Sequence, residues 1–358
     1  MEVNTFPEVH VARKAFSSGK TLPMEFRRKQ LAKFVELLED EKNRARISEA
    51  VYKDMRKCNY EAIFTEILVV LAEYLDSECY HVVLADATGT KSLLTHRFDY
   101  IFFTGSAPVG KSILQVAAPQ LTPVTLELGG KSPVYIHETA CCKMAVKRIL
   151  WCKCINMGQT CIAPDYVICS EQVQEAFIRY TKEIFNEWIL LGGKSDEKDL
   201  WIEPTFIGNV KRDDILMEGE IFGPILPFVT VNSSDEAIDF INSTERPLAL
   251  YIFSKDDSVS NKIMEHTFSG GVCINDTAFH VMDLRLPFGG TGQSGMGSYH
   301  GPHSVKTFSH QRAVVKRGLN YTVIIAISMC VGNWAASFGF SLANVMNLQV
   351  CNWKERKI

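Results

Sequence analysis

Cys161 stands in Asn156-Met-Gly-Gln-Thr-Cys161-Ile-Ala-Pro-Asp-Tyr166, a Gly/Gln/Thr turn between a helix-like aromatic stretch and the apolar run Tyr166 to Cys169. A thiol in such a turn has the exposed setting of a nucleophile, because the reacting thiolate needs access and polar surroundings. The commoner fate of a lone cysteine is that of a small buried hydrophobe, the reading for Cys58, Cys79, Cys152, Cys154 and Cys273. Zinc is a poor alternative: paired C-x-x-C knuckles are missing, and Cys152-x-Cys154 lacks spaced partners. A carboxylate, Glu127, interrupts the apolar strand in Pro123-Val-Thr-Leu-Glu127-Leu-Gly-Gly-Lys-Ser-Pro133. Burying it there costs energy unless it is paired, hydrogen-bonded or protonated. The third feature is Gly105-Ser-Ala-Pro-Val-Gly110, a flexible turn opening a helix, which can receive a phosphate on free N–H groups. Glycines needed for turn geometry alone leave the same trace.

These residues need elements to hold them. Tyr100-Ile-Phe-Phe-Thr104 reads as a short strand before the glycine turn, and Lys111 to Ala118 as the helix after it. Residues 24–67 carry Phe26, Leu31, Phe34, Leu37 and Leu38 at helical spacing among many charges, predicting two amphipathic helices that serve packing. A literal G-x-G-x-x-G at Gly290-Thr-Gly292-Gln-Ser-Gly295 is rejected as a dinucleotide turn, because Met296-Gly-Ser-Tyr-His-Gly301 cannot continue it as a helix. Ser294 lies in G-x-S-G and not in the G-x-S-x-G elbow, so a serine hydrolase gains no support.

The 358 residues suffice for two or three domains, and 46% hydrophobic content supplies a sizeable core. A net charge of −3, from 38 basic and 41 acidic residues, argues against nucleic acid as a partner. Eleven scattered cysteines, Cys141 and Cys142 adjacent, predict reduced cytosolic thiols without structural disulfides. The first thirty residues lack the apolar core of a secretory signal, so the sequons at Asn232, Asn242, Asn275 and Asn320 read as chance matches. Near the other end, Tyr321 to Met346 supplies the roughly 20 apolar residues that a bilayer-crossing helix needs, flanked by Lys316 and Arg317 and by Lys354, Arg356 and Lys357. This predicts a membrane helix over 321–346 acting as a tail anchor. A buried, partner-docked or interfacial helix is the alternative, since Asn333, Ser337, Ser341 and Asn344 dilute the apolar signal.

The segments TLELGGKSP, GQTC, EIFGP, RPLALYIFS, SGGVCIND and PFGGTGQSGMGSYHG follow one another in the order found in aldehyde dehydrogenases. The run Ser294 to Gly301, followed by Thr307-Phe-Ser-His310, most resembles the class 3 branch that includes membrane-bound fatty aldehyde dehydrogenase. The resemblance covers about residues 8–315 with interruptions, motif by motif. It implies an α/β fold with a Rossmann-type cofactor domain and an α/β catalytic domain, and a thiohemiacetal on Cys161 that gives up hydride to NAD or NADP. Glu127 would then be the general base that activates water against the thioester. Glu220 and Phe222 would hold the nicotinamide ribose and ring, and Gly105, Ser106 and Gly110 would face the pyrophosphate. Asn275 and Phe288 would line the approach of the aldehyde, and the N–H of Cys161 would form half of an oxyanion hole. No metal site is implied. The expected partners are a lipid-derived aldehyde, a second copy or an intact relative as a dimer, and a membrane reached through the tail. The expected location is the cytoplasmic face of the endoplasmic reticulum, or otherwise the cytoplasm.

The chain departs from that family after Ile67, which is nearly adjacent to Ala72-Glu-Tyr-Leu-Asp76. A stretch on the order of a hundred residues is skipped, including the W-N-Y-P-like and K-P-S-like motifs that complete the oxyanion hole and hold the adenosine ribose. A smaller shortening falls near Trp188 to Gly193. The expected organisation is a helical segment over 1–70, a truncated cofactor domain over 71–133 and a catalytic domain over 134–315, with re-entry into the cofactor domain after 270. Losing strands from the cofactor sheet would strip their neighbours of hydrogen-bond partners and bare two apolar faces. Two readings therefore stand beside the dehydrogenase: a catalytically impaired, membrane-tethered relative, and a thiol esterase that uses Cys161 and Glu127 without nucleotide.

Overall fold

The computed structural model describes residues 6–55, 75–185 and 192–316. The chain divides into two units, Met1–Thr307 and Phe308–Ile358. In the second unit the described residues, 308–316, contain no helix, and the predicted apolar helix over 321–346 lies outside the described residues. Among the described residues no helix is long and apolar enough to cross a membrane.

The first unit begins with three helices. α1 (Pro7–Ser17) opens on a proline, which has no N–H to leave unsatisfied in a first helical turn. α2 (Met24–Glu39) buries Gln30 and Leu37, and α3 (Glu41–Met55) buries Asn43, Ile47 and Val51, four residues apart on one face. α1 lies within the helical segment expected over 1–70 but before the two helices read over 24–67, of which 56–67 falls outside the described residues. α4 (Ala87–Leu93) is capped by Asp86, whose carboxylate accepts from the Gly89 N–H at 2.7 Å.

A small sheet follows. β1 (Ile101–Gly105), α5 (Ala107–Ala117) and β2 (Val124–Leu128) form a parallel βαβ unit in which Thr104 pairs with Glu127. Gly110 makes the unit close: an added Cβ would lie 2.8 Å from Leu128 Cδ2, so the helix can approach the strand only without one. Ile113, Leu126 and Leu128 form the core of this unit. Among the described residues β1 is paired on one side only, and Phe102 on it is 41% exposed.

The chain then builds a second sheet from β3 (Pro133–Ile136), β4 (Tyr166–Cys169), β7 (Thr205–Ile207), β8 (Ile225–Thr230), β9 (Ala249–Phe253) and β10 (Gly271–Ile274). All are parallel, in the order β10-β9-β3-β4-β8-β7. β5 (Ser195–Asp196) and β6 (Trp201–Ile202) form a separate antiparallel pair. The central strands read as nearly unbroken apolar runs because both faces are covered. α6 (Lys143–Cys154) and α7 (Glu171–Phe185) pack with Val134, Ile136, Val167, Phe228, Tyr251 and Phe253 on one face. α8 (Ser234–Asn242) and α9 (Asp257–His266) pack with Tyr135, Tyr166, Ile168, Val229 and Ile252 on the other. This alternation is the period-2 signature of strands buried on both sides. After the short α10 (Phe279–Met282), β11 (Gly295–Met296) returns to the small sheet and pairs antiparallel with β2, and α11 (Gly301–Thr307) closes the unit.

Only residues 129–132 join the end of β2 to the start of β3. The carboxyl ends of the small parallel strands therefore meet the amino ends of the large sheet, where the turns before β3, β4 and β8 converge.

Candidate active site

α6 runs back beside the sheet and delivers the chain to the turn before β4. That turn takes three successive left-handed residues, Asn156 (φ 50°), Met157 (φ 52°) and Gly158 (φ 77°). Only glycine adopts this conformation freely; a residue such as Met157 costs about 1–3 kcal/mol there and must be held by its surroundings. The carboxamide of Asn156 donates to the Gln159 carbonyl at 2.6 Å, and the N–H of Gln159 donates back to the Asn156 carbonyl at 3.0 Å. A Cβ on Gly158 would lie 2.3 Å from the Gly223 carbonyl oxygen, so the turn is pressed against the segment that carries Glu220.

This geometry places Cys161 half buried, and so corrects the exposed setting expected for it. Burial, followed by the nearby Glu127 and Glu220 carboxylates, pushes its thiol up to about 12. Opposing them, the N–H groups of Cys161 and Ile162 donate toward the sulfur. A thiol so placed is held in its protonated form, with amide donors aimed at its sulfur. Of the other thiols read as buried, Cys152 is buried, Cys79, Cys154 and Cys273 are half buried, and Cys58 lies outside the described residues. The described cysteines are free thiols.

Glu127 is 2% exposed on β2, and its Oε1 has no hydrogen-bond partner among the described residues. Loss of solvent raises its carboxyl to about 7. Glu220 is an exposed residue whose carboxyl lies against Gly129, where an added Cβ would be 2.1 Å from Oε2. Its carboxyl is likewise raised to about 7, first by desolvation and then by Asp165, while the Gly130 N–H and Lys131 oppose the rise. Thus Cys161 faces two carboxyls poised near neutrality, either of which can hold or release a proton at working pH. Phe222, two residues beyond Glu220, is left-handed (φ 49°) and 49% exposed.

Phe288 is buried in the same apolar cluster against which Cys161 packs. Its ring stacks on His300 at 5.2 Å and meets Tyr299 edge-on at 5.7 Å. Asn275, expected at the aldehyde approach, instead spends its carboxamide on Ser254, accepting from its N–H at 2.9 Å and donating to its carbonyl at 2.8 Å. In this geometry it braces the loops after β9 and β10. Gly105 ends β1 with the Phe103 ring packed over it, and Ser106 is exposed at the start of α5 without making a side-chain cap. The sequence reading missed Lys131, Asp165 and Lys153. Lys131 and Asp165 form a buried ion pair, and Lys153 is 3% exposed with no partner on Nζ, burial pushing it down to about 8. The only sequence signal for the three is charge inside otherwise apolar stretches.

A half-buried cysteine near two carboxyls, set between a small three-stranded sheet and a larger parallel one, is an arrangement of an α/β fold that can support thiol chemistry. The sequence profile described as "Aldehyde dehydrogenase family" matches residues 62–189 and 186–314, the two stretches meeting where the second shortening is read. The chain belongs to the aldehyde dehydrogenase family. It is 44% identical over 290 residues to human aldehyde dehydrogenase family 3 member B1, covering 72% of this chain and 61% of that protein. It is 42% identical over 281 residues to mouse aldehyde dehydrogenase family 3 member A2, covering 70% of this chain and 58% of that protein. The chain thus spans about three fifths of the length of these relatives. The solved structure of the substrate-bound state of Staphylococcus aureus AldH superposes with a TM-score of 0.84 at 29% identity, covering 90% of this chain and 96% of that one. The 3,6-anhydro-L-galactose dehydrogenase solved in complex with NAP superposes with a TM-score of 0.54 at 26% identity, over 60% of this chain and 54% of that one.

Proposed function

We propose that the chain oxidises medium- to long-chain aldehydes to carboxylic acids through Cys161, with NAD or NADP as hydride acceptor. The observation that carries this reading is the meeting of Cys161 with Glu127 and Glu220 at carboxyl values near 7. Attack of the Cys161 sulfur on the aldehyde carbonyl forms the C–S bond while the thiol proton passes to a neighbouring carboxylate, Glu220 or Glu127, and the N–H of Cys161 receives the charge that develops on oxygen. Hydride loss leaves a thioester, and Glu127 takes a proton from the water that cleaves it. Burial matters here because a carboxylate of ordinary acidity is too weak a base at neutral pH.

The residues fit the cofactor at two of its three parts. The start of α5 has no side-chain cap at Ser106, and Gly110 brings the helix close to β2, as a pyrophosphate-facing turn requires. Glu220 and Phe222 are assigned here to the ribose and nicotinamide, a reading supported by the contact of their segment with the Cys161 turn through Gly158 and Gly223. The adenosine end has no match, because β1 is the outermost described strand on that side. When bound, the nucleotide supplies hydride acceptance. The long-chain preference rests on the family 3 relatives, and the membrane tether on the apolar sequence 321–346. That β1 is an edge strand among the described residues favours a second reading, in which Cys161 and Glu127 hydrolyse esters without nucleotide.

The test follows NADH or NADPH formation by the detergent-solubilised chain with a long-chain aldehyde, beside Cys161→Ala and beside a nucleotide-free ester assay. Turnover that disappears in the variant supports the dehydrogenase. Ester hydrolysis without reduction of nucleotide supports the second reading, and neither activity from folded protein removes both.

A further inference from the structure

The segment that carries Glu220 is seated by Met217 and Leu216 in the core beneath α8 and α9, and its polar bonds over 211–218 run mainly within it, through Asp214 N–H to the Lys211 carbonyl, Met217 N–H to the Asp214 carbonyl and Lys211 N–H to the Asp214 carboxylate at 2.6 Å. From Gly219 to Ile221 the backbone is held from outside, by two side chains that the chemistry described above does not use. Lys131, 9% exposed at the start of the large sheet, donates to the Leu216 carbonyl at 2.7 Å and to the Gly219 carbonyl at 2.8 Å. Its third donor goes to Asp165 Oδ2. All three protons of the ammonium are thereby satisfied, which is the condition for burying it. Asp165, 3% exposed, accepts the Ile221 N–H on Oδ1 at 3.0 Å, and its own N–H donates to the Ser132 carbonyl at 2.8 Å. The Tyr166 ring lies beneath the ammonium, 5.8 Å from Nζ to its centroid.

We infer that Lys131 and Asp165 are positioning residues for Glu220: together they grip the backbone on either side of it, and so hold its carboxyl on Gly129, facing Cys161. A buried ion pair is seldom retained for stability alone, since apolar residues of the same volume do as well or better. Here the pair is directed. One member takes the carbonyl just before Glu220 and the other the N–H just after it, leaving the side chain between them a single place to go. Gly129 completes the device, because any larger residue there would fill the space of the carboxyl. The link to aldehyde chemistry rests on the function proposed above, whereas the grip itself does not.

The experiment reads the thiol directly and needs no turnover. Alkylation of Cys161 by iodoacetamide at pH 8 is followed by peptide mass spectrometry in the full chain, with half-buried Cys273 as internal control. Lys131 and Asp165 are removed together as Lys131→Met/Asp165→Asn, which strands neither member of the pair as a buried charge and keeps an acceptor for the Ile221 N–H. The expected result is at least about threefold faster alkylation of Cys161, because a carboxylate that suppresses the thiolate has moved away. Cys273 should be unchanged. Glu220→Gln alone should give the same acceleration, and adding it to the pair variant should give no more. Lys131→Arg, which keeps charge and donors, should behave like the parent. Additive effects, an unchanged Cys161 rate, or equal acceleration of Cys161 and Cys273 would each overturn the inference. An inactive chain with the expected alkylation pattern loses the functional proposal and keeps this one; an active chain with additive effects does the reverse.

Discussion

Replacing Glu127 with glutamine separates what this carboxyl does for chemistry from what it costs the fold. In the native chain it is 2% exposed with one oxygen unpartnered, and its value rises from 4.5 to about 7 through loss of solvent. The folded state therefore binds the Glu127 proton more tightly than the unfolded chain does. The stability tied to that proton is fully present below pH 4.5 and is lost as the pH climbs through 7. A rise of this size corresponds to about 3 kcal/mol. Glutamine has nearly the same shape and stays neutral throughout. Glu127→Gln should thus match the parent near pH 4.5, gain on it steadily, and lead by about 3 kcal/mol above pH 7. Urea unfolding followed by tryptophan fluorescence from pH 4.5 to 8.5 measures the difference. Parallel stability curves for the two proteins would refute the reasoning, for they would mean that Glu127 titrates as if in water. In the same variant, release of acid from the thioester should slow by about a hundredfold or more, the loss typical of a missing general base.

Lys153 obeys the opposite sign. Its folded value is pushed from 10.5 down to about 8, so stability present above pH 10.5 is lost as the pH falls through 8, and Lys153→Met should stabilise the chain by about 3 kcal/mol at pH 7 and by almost nothing at pH 10.5. Urea unfolding at the two values checks this. Two glycines should rank by their surroundings. Gly158→Ala meets the Gly223 carbonyl at 2.3 Å from a left-handed backbone and should cost about 2–4 kcal/mol, whereas Gly110→Ala meets only the movable end of Leu128 and should cost about 1–2 kcal/mol. Thermal unfolding of the pair gives the order. Asn275→Ala should lower stability by about 1–3 kcal/mol through the stranded N–H and carbonyl of Ser254, with KM for the aldehyde little changed if its carboxamide serves only the loops.

Much of the site is legible along the chain because its chemistry resides in local patterns. A glycine turn between a strand and a helix, a carboxylate inside an apolar strand and a cysteine in a polar turn are each set by a few neighbouring residues. β1 and β4 fall within a residue of where spacing and residue type place them, whereas α5 begins at Ala107, four residues before the expected Lys111, because Pro108 and Val109 of the expected turn already take up the first helical turn. Proline and apolar periodicity locate helices in the same way, although α1 lies before the stretch read as amphipathic.

The family is readable in the chain alone, and so are a cysteine in a polar turn and a carboxylate inside an apolar strand as candidates for chemistry, since these are properties of residue types in short runs. Their surroundings come from packing between distant segments. Lys131 and Asp165 stand 34 residues apart, and the ammonium reaches carbonyls 85 and 88 residues further on. No local pattern can show that two charges in separate strand-leading segments share one buried site, nor that Glu220 folds back onto Gly129. The half-buried thiol, the two carboxyls near 7 and the bracing role of Asn275 arise in the same way. Each depends on which solvent and which charges surround an atom, and those are set by packing between segments distant in sequence.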